Sequence, residues 1–208
     1  MKLISVLLLL TLTIPVPATA INQNNDNEDE LSAQDRYMEC RMITPADLRD
    51  NKAPRFDDYR VPTEWPTLHP KVDTKTTEIG RTFRTVLQNE ISYGANFAGH
   101  YRLAIWGCGS SCSSFAVVNI KSGEVIVPDN LSSVSGNHLN TEELGDLFLH
   151  EGFNDGAWGY RYKKNSRLIV FVGTLDEDNN REGAYYYILE NDELKPVHQT
   201  HVIKNCKR

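Results

Sequence analysis

The sequence predicts a mainly β protein of the α+β class, with antiparallel β-meanders, one amphipathic helix, a short second helix and a proline-rich N-terminal wrap. Two stretches, residues 101–127 and 167–198, share one order of strand, long loop, strand, tight turn and strand. Two other stretches, residues 76–92 and 140–150, repeat apolar residues at helical spacing. Two three-stranded meanders with two helices are the simplest fold that satisfies both patterns.

The N-terminus has the pattern of an export signal. Residues 1–20 contain one basic residue, an apolar run over residues 3–14 and a final Ala-Thr-Ala, which is the kind of site that signal peptidase cleaves. The run is too short for a membrane-spanning helix, which takes about 20 apolar residues, so we expect no stable membrane anchor. The sequence therefore predicts a periplasmic or secreted protein.

The remainder of the chain divides into a leader and one domain. Residues 21–36 are polar and acidic, and we expect them to form a flexible leader because they cannot bury enough apolar surface to fold. Residues 37–208 have the length of a single exported domain. The formal net charge of −6 argues against nucleic-acid binding, which needs a basic patch on the protein.

Proline and the apolar spacing decide where the helices lie. Five prolines between residues 41 and 75 exclude a long helix, so we expect this segment to wrap irregularly over the sheet. Residues 76–92 form the longer predicted helix. Residues 140–150 form the shorter one, in which Asn140 can cap the N-terminus. The apolar stripe of the longer helix comprises Ile79, Phe83, Val86, Leu87 and Ile91.

The strand that contains residues 100–106 alternates two sets of side chains, which face opposite sides of the sheet. One set is apolar and predicts a core face. The other set places His100, Arg102 and Trp106 in a row. This row is either an open, site-like surface or a face that the helix or the proline-rich wrap covers. Residues 167–173 are apolar on both faces, which predicts a central strand.

The four cysteines of an exported chain predict two disulfides, for which three pairings are possible. We expect Cys108 to pair with Cys112, its near neighbour in the sequence. Cys40 would then pair with Cys206 and tie the two ends of the domain together. The alternative is that residues 108–112 (CGSSC) hold a metal ion or a reactive thiol.

Two short motifs carry a resemblance to other proteins. Residues 96–101 (NFAGHY) and residues 106–112 (WGCGSSC) together resemble a group of small exported bacterial proteins of uncharacterised function that share paired NFAGHY and WGCGxxC motifs. The similarity extends from residues 56–59 (FDDY) to residues 122–125 (SGEV), and more weakly to the later strands. The resemblance implies a shared fold and export, and it implies no activity.

The predicted binding surface combines the row of side chains on the strand with the bend between the two close cysteines. A disulfide-closed ring of glycine and serine presents backbone N–H groups with little obstruction, a geometry that suits an anion. The alternative is a cross-linked hairpin end that only prevents fraying. The predicted site residues are Asn96, His100, Arg102, Trp106, Gly109, Ser110 and Ser111.

The predicted function is non-catalytic binding in the periplasm, with an unknown envelope protein or a small ligand as the partner of the loop at residues 106–112. One alternative is an envelope hydrolase in which His100 activates a serine or cysteine. On one extended strand His100 and Cys108 would lie about 26 Å apart, so the nucleophile would have to come from elsewhere. A second alternative is a structural component of an envelope assembly. We predict no cofactor and no metal, since the sequence lacks a zinc motif and the acidic segment 176–183 departs from a calcium loop.

Overall fold

The computed structural model describes residues 32–64, 71–144 and 159–206. The predicted signal peptide, residues 21–31 of the predicted leader and residues 145–150 of the second predicted helix lie outside this part of the chain. Within it, eight strands form one antiparallel sheet. In chain order they are β1 (Tyr101–Gly109), β2 (Cys112–Asn119), β3 (Val125–Ile126), β4 (Ser133–Ser135), β5 (Tyr160–Tyr162), β6 (Leu168–Leu175), β7 (Glu182–Glu190) and β8 (Glu193–His201).

Two antiparallel meanders make up most of the sheet, which confirms the predicted fold class. Strand β2 pairs with β1 and β3, and β6 pairs with β7, which pairs with β8. The β7–β8 turn uses Asn191 and Asp192, both at positive φ, a conformation that favours these residue types in tight hairpins. Strand β4 pairs with both β2 and β6 and so joins the meanders into one sheet, a connection that the sequence does not predict.

One face of the sheet encloses a core to which both meanders contribute. Strand β6 is buried along its whole length, as its continuous apolar run predicts. Phe171 lies at the centre, with ring centroids 4.6 Å from Phe115 of the first meander and 5.3 Å from Tyr187 of the second. Because these rings come from strands on both sides of β4, burial of aromatic surface holds the two meanders together.

The opposite face of the first meander is covered by two short helices, α2 (Glu78–Thr82) and α3 (Arg84–Ile91). The prediction of one helix over residues 76–92 is therefore wrong at Phe83, which ends α2 and begins α3 with φ −103° and ψ 22°. The break turns the Phe83 ring onto Trp106 of β1, with centroids 4.7 Å apart. Val86, which the prediction places in the buried stripe, is exposed instead.

The opposite face of the second meander is covered by the N-terminal part of the domain. Helix α1 (Ala33–Arg41) begins with a capping box between Ser32 and Asp35, so helical structure starts before residue 37, where the sequence predicts the domain to begin. The proline-rich segment that follows contains a short 3₁₀ helix at Phe56–Tyr59 and buries Phe56 against the sheet. Its described part contains no long helix, in agreement with its prolines.

The second predicted helix begins where the sequence places it. Residues 141–144 are helical, and the Asn140 side chain accepts a hydrogen bond from the backbone N–H of Glu143 at 3.2 Å. No helix in the described residues has the length and apolar character that crossing a bilayer requires.

Candidate functional site

The β1–β2 hairpin ends in a small bend that the disulfide between Cys108 and Cys112 closes, with the two Cα atoms 5.2 Å apart. We call residues 107–112 the tip. The second bond joins Cys40 to Cys206, and both predicted pairings are confirmed. All four cysteines are therefore oxidised, which removes the alternatives of a thiol nucleophile or a thiolate metal ligand at residues 108–112.

The backbone of the tip departs from a regular hairpin at one point. Gly107 lies opposite Ser113 and Gly109 opposite Cys112, so Cys108 forms a bulge. Ser110 and Ser111 make the turn, and Ser111 adopts a φ of 54°. Gly109 has a φ of 151°, which only glycine adopts readily.

The tip is exposed, whereas its base is fixed. Residues 107–111 are open to solvent, and the chain becomes buried at Cys112. The carbonyl of Ser111 accepts a hydrogen bond from Gly136 N–H at 2.8 Å. Tyr160 donates its hydroxyl to the carbonyl of Ser113 at 2.9 Å. The tip therefore projects from an anchored hairpin, and residues 109, 110 and 111 of the predicted site lie together on it.

The glycines of the tip differ from those elsewhere in the sheet. A Cβ atom added at Gly107 or Gly109 would meet no atom within 4 Å. A Cβ added at Gly99 would lie 2.6 Å from the backbone oxygen of Pro62, and one added at Gly173 would lie 2.3 Å from that of Ser135. The packing of the fold thus requires glycine at the latter positions but leaves the space beside Gly107 empty.

Asn96 occupies the outer edge of β1. Its side-chain oxygen accepts the N–H of Leu103 at 2.7 Å, and its amide donates to the carbonyl of Leu103 at 3.0 Å. Since alternate residues of an antiparallel strand direct their backbone groups to the same edge, those of Ile105 and Gly107 also point outward. They form no hydrogen bond with another described residue. Asn96 is therefore a structural clamp, and the free edge of β1 begins beyond it.

The face of β1 that carries Arg102 and Trp106 is not the open surface that one of the two interpretations of the sequence describes. Arg102 is 9% exposed, and its guanidinium donates to Glu90 of α3 at 2.8 and 3.1 Å. Trp106 packs on Phe83 at the junction of α2 and α3. The alternative that the helix covers this face is correct, because an amphipathic helix needs an apolar surface on which to bury its stripe. Arg102 and Trp106 therefore hold the helix layer on the sheet.

His100 lies apart from the tip, at the opposite end of β1. It lines a shallow cavity of about 230 Å³, with its Nδ1 3.5 Å from an oxygen of Glu64 and its ring stacked on Tyr101. Partial burial and the nearby Lys121 ammonium lower the pKa of His100, against the opposing effect of Glu64. No serine hydroxyl among the described residues hydrogen-bonds to this imidazole, so His100 is not brought together with the predicted hydroxyl partners Ser110 and Ser111.

A buried polar cluster, which the sequence does not predict, surrounds Glu182. This side chain is 5% exposed, and its Oε1 atom accepts from Arg41 at 2.7 Å and from Thr174 at 3.3 Å. His138 makes a short contact to the same oxygen. The residues come from α1, the loop after β4, and β6 and β7, and no motif or spacing in the sequence connects them.

The buried polar cluster and the tip share one end of the sheet. Cys112 lies opposite Ser135, Ser135 opposite Thr174, and Thr174 opposite Glu182, in one row across four strands. Opposed residues of neighbouring strands share a face, so this polar row runs beneath the covering segments from the tip disulfide to Glu182.

Comparison of the chain with protein-family models, with curated proteins and with solved structures found no match. The site is therefore interpreted from its geometry.

Proposed function

We propose that this protein is a non-catalytic, extracytoplasmic binding protein, and that it contacts an extended segment of a partner protein through the tip and the adjoining free edge of β1. The observation that carries the proposal is the open space around Gly107 on an exposed strand edge. Glycine weakens a strand by roughly 0.5–1 kcal/mol relative to alanine. Where the fold does not need it, glycine in a strand often marks the close approach of another backbone or a ligand.

The two disulfides support different roles. In the chain-entropy model, the bond between Cys40 and Cys206, which are 166 positions apart, stabilises the fold by about 5 kcal/mol. The bond between Cys108 and Cys112 closes a separation of only 4 positions and contributes about 2 kcal/mol in the same model. Its main effect is to fix the shape of an exposed bend, which lowers the entropy lost when the bend binds a partner.

The two edges of the sheet are protected to different degrees. Strand β8 contains Lys195 and Pro196, and its pairing with β7 shifts register between Tyr186 and Tyr187; lysine, proline and bulges all discourage the addition of another strand. The outer end of β1 has neither a charged residue nor a proline from Ile105 to Gly109. An extended peptide can add to such an edge through main-chain hydrogen bonds, with the tip as a fixed stop at its end.

Extracytoplasmic location is supported by the two disulfides, which persist in oxidising compartments, together with the predicted signal peptide. The surroundings of His100 do not favour the hydrolase alternative, because the described residues around it include no serine or cysteine.

Site-specific photocross-linking in the source organism tests the proposal. A benzophenone amino acid is placed at Ser110 on the tip and, as the matched control, at Glu193 beside the exposed β7–β8 turn. We expect one partner protein to cross-link at Ser110 and not at Glu193. The variant Gly107→Lys should abolish this adduct, because lysine on a strand edge opposes strand addition. Equal labelling at both positions, or an adduct at Ser110 that survives Gly107→Lys, would contradict the proposal.

A further inference from the structure

A cavity lies over the buried polar cluster, at the Glu182 end of the polar row and away from the tip. Its volume is about 480 Å³, within the range of about 300–1,000 Å³ that is usual for small-molecule sites. Helix α1 forms one wall, and the C-terminal segment forms another. The residues that line it are Tyr37, Arg41, Asn179, Asn180, Glu182, His201, Val202, Ile203, Lys204 and Cys206.

The charges at the wall of this cavity are already paired. Arg41 binds Glu182 at 2.7 Å, and Lys204 binds Asp47 at 2.7 Å. An anion would meet the carboxylate of Glu182, and a cation would meet the Arg41 guanidinium next to it, so neither gains a net attraction. Both cations of the wall are therefore already paired with carboxylates, Arg41 with Glu182 and Lys204 with Asp47, which lies outside the lining, and this pairing favours a neutral, polar ligand.

One acceptor of the wall is buried and still available. Oε1 of Glu182 takes the contacts from Arg41, His138 and Thr174. Oε2 makes no hydrogen bond with a described residue, and it is not among the buried atoms without a partner, so it is accessible from the cavity. An accessible oxygen on a largely buried carboxylate binds a donor strongly, and the ligand must present an O–H or N–H group to it.

The rest of the wall supplies donors and apolar surface. The side-chain amide of Asn179 forms no hydrogen bond with a described residue and can both donate and accept. Val202 and Ile203 contribute apolar surface on the C-terminal side, and Ile203 is 83% exposed. A ligand with several hydroxyl groups and an apolar C–H face matches this combination, because each hydroxyl both donates and accepts.

We propose that the cavity binds a neutral saccharide, with its hydroxyl groups on Glu182 and Asn179. Among the lining residues, Glu182 is the one carboxylate, whereas most glycoside hydrolases use two, so we expect the site to bind a sugar without cleaving it. The Cys40–Cys206 bond fixes α1, whose residues are not buried, and thereby holds Tyr37 and Arg41 at the cavity. This inference stands independently of the partner at the tip.

Titration of the ¹⁵N-labelled, disulfide-bonded protein, followed by amide NMR shifts, tests the assignment. The neutral probes are glucose, N-acetylglucosamine, maltose, cellobiose and N,N′-diacetylchitobiose, at up to about 50 mM, a concentration that saturates a site with a millimolar Kd. We expect at least one probe to shift the amides of residues 179–182 and 201–204 saturably. Tighter binding of a disaccharide than of its monosaccharide would identify a polymer as the source of the ligand.

Variants and charged probes decide the outcome. Asn179→Ala should weaken binding about fivefold, the effect of one lost hydrogen bond, while Asn51→Ala, a matched change at another exposed asparagine, should leave it unchanged. Glucuronate, an anion, and glucosamine, a cation, test whether the ligand of the cavity must be neutral. Absence of shifts with every neutral probe, binding of the charged probes alone, or equal Kd values for wild type and Asn179→Ala would overturn the assignment.

Discussion

Three glycine-to-alanine changes separate the structural glycines from the glycine of the tip. Gly99 adopts a φ of +83°, and an added Cβ would lie 2.6 Å from the backbone oxygen of Pro62. Gly94 adopts a similar φ of +78°, but an added Cβ would meet nothing within 4 Å. Gly107 has neither a positive φ nor a neighbour within 4 Å. Gly94→Ala therefore reports on backbone strain alone, Gly99→Ala on strain together with steric overlap, and Gly107→Ala on neither.

The expected magnitudes follow from these environments. Strain at positive φ costs about 1–2 kcal/mol, which is the whole expected effect of Gly94→Ala. Gly99→Ala adds an overlap that the backbone cannot relieve freely, because Gly99 N–H bonds Lys164 at 2.6 Å and its carbonyl bonds Glu64 at 3.2 Å. Losing these two bonds costs about 0.5–1.5 kcal/mol each, so the total with the strain is roughly 2–5 kcal/mol. Gly107→Ala should raise stability by about 0.4–1 kcal/mol through the unfolded state.

Urea unfolding followed by tryptophan fluorescence measures these free energies, with thermal unfolding as a second readout. For a domain of this size, at about 2–4 °C per kcal/mol, the loss predicted for Gly99→Ala lowers Tm by roughly 4–20 °C. Equal losses for Gly99→Ala and Gly94→Ala would show that the overlap with Pro62 is unimportant. A loss above about 1 kcal/mol for Gly107→Ala would refute the reasoning, because the fold itself would then require this glycine.

Three further predictions concern charge and cross-links. Arg41→Met should lower the free energy of unfolding in urea by about 3 kcal/mol, since it leaves Glu182 buried without its guanidinium; a loss below 1 kcal/mol would contradict this. Replacing Cys40 and Cys206 with serine should cost about 5 kcal/mol, and an unchanged urea midpoint would contradict it. Burial acts to raise the pKa of Asp176, but hydrogen bonds from two neighbouring serines and an arginine outweigh it and lower that pKa. The stabilisation is therefore present above about pH 4 and is lost as the pH falls through the lowered pKa. Asp176→Asn should be less stable than wild type at pH 7 and equal to it in acid, and a gap that persists in acid would contradict this.

The sequence predicts the strands because their signals are local. Alternating or continuous apolar residues determine the two meanders, and the Asn191–Asp192 pair predicts its own turn. The pairing of Cys108 with Cys112 also follows from nearness along the chain. The break at Phe83 does not, because the helical spacing continues through it. The break accompanies a tertiary contact between Phe83 and Trp106, which no pattern within the helix records.

The candidate site is only partly predictable, again because sequence signals are local. The small residues and the two cysteines predict the exposed bend, whereas the covering of Arg102 depends on Glu90 of a different element. The cluster at Glu182 joins residues that are up to 141 positions apart, and a single buried carboxylate has no sequence signal until its partners are located in space. In the sequence, Glu182 beside Gly183 resembles the ordinary start of a strand.

The affinity of the partner that cross-links at Ser110 tests the central claim most directly. It should be measured with purified protein for wild type, for Gly107→Lys, and for Thr85→Lys, which adds the same charge on the exposed side of α3. We predict that Gly107→Lys weakens binding by about a hundredfold, as for the loss of a contact at the centre of an interface. Its unfolding midpoint should not fall below the wild-type value, and the affinity of Thr85→Lys should equal that of the wild type. Wild-type affinity in Gly107→Lys would contradict the claim that the tip and the free edge of β1 bind the partner.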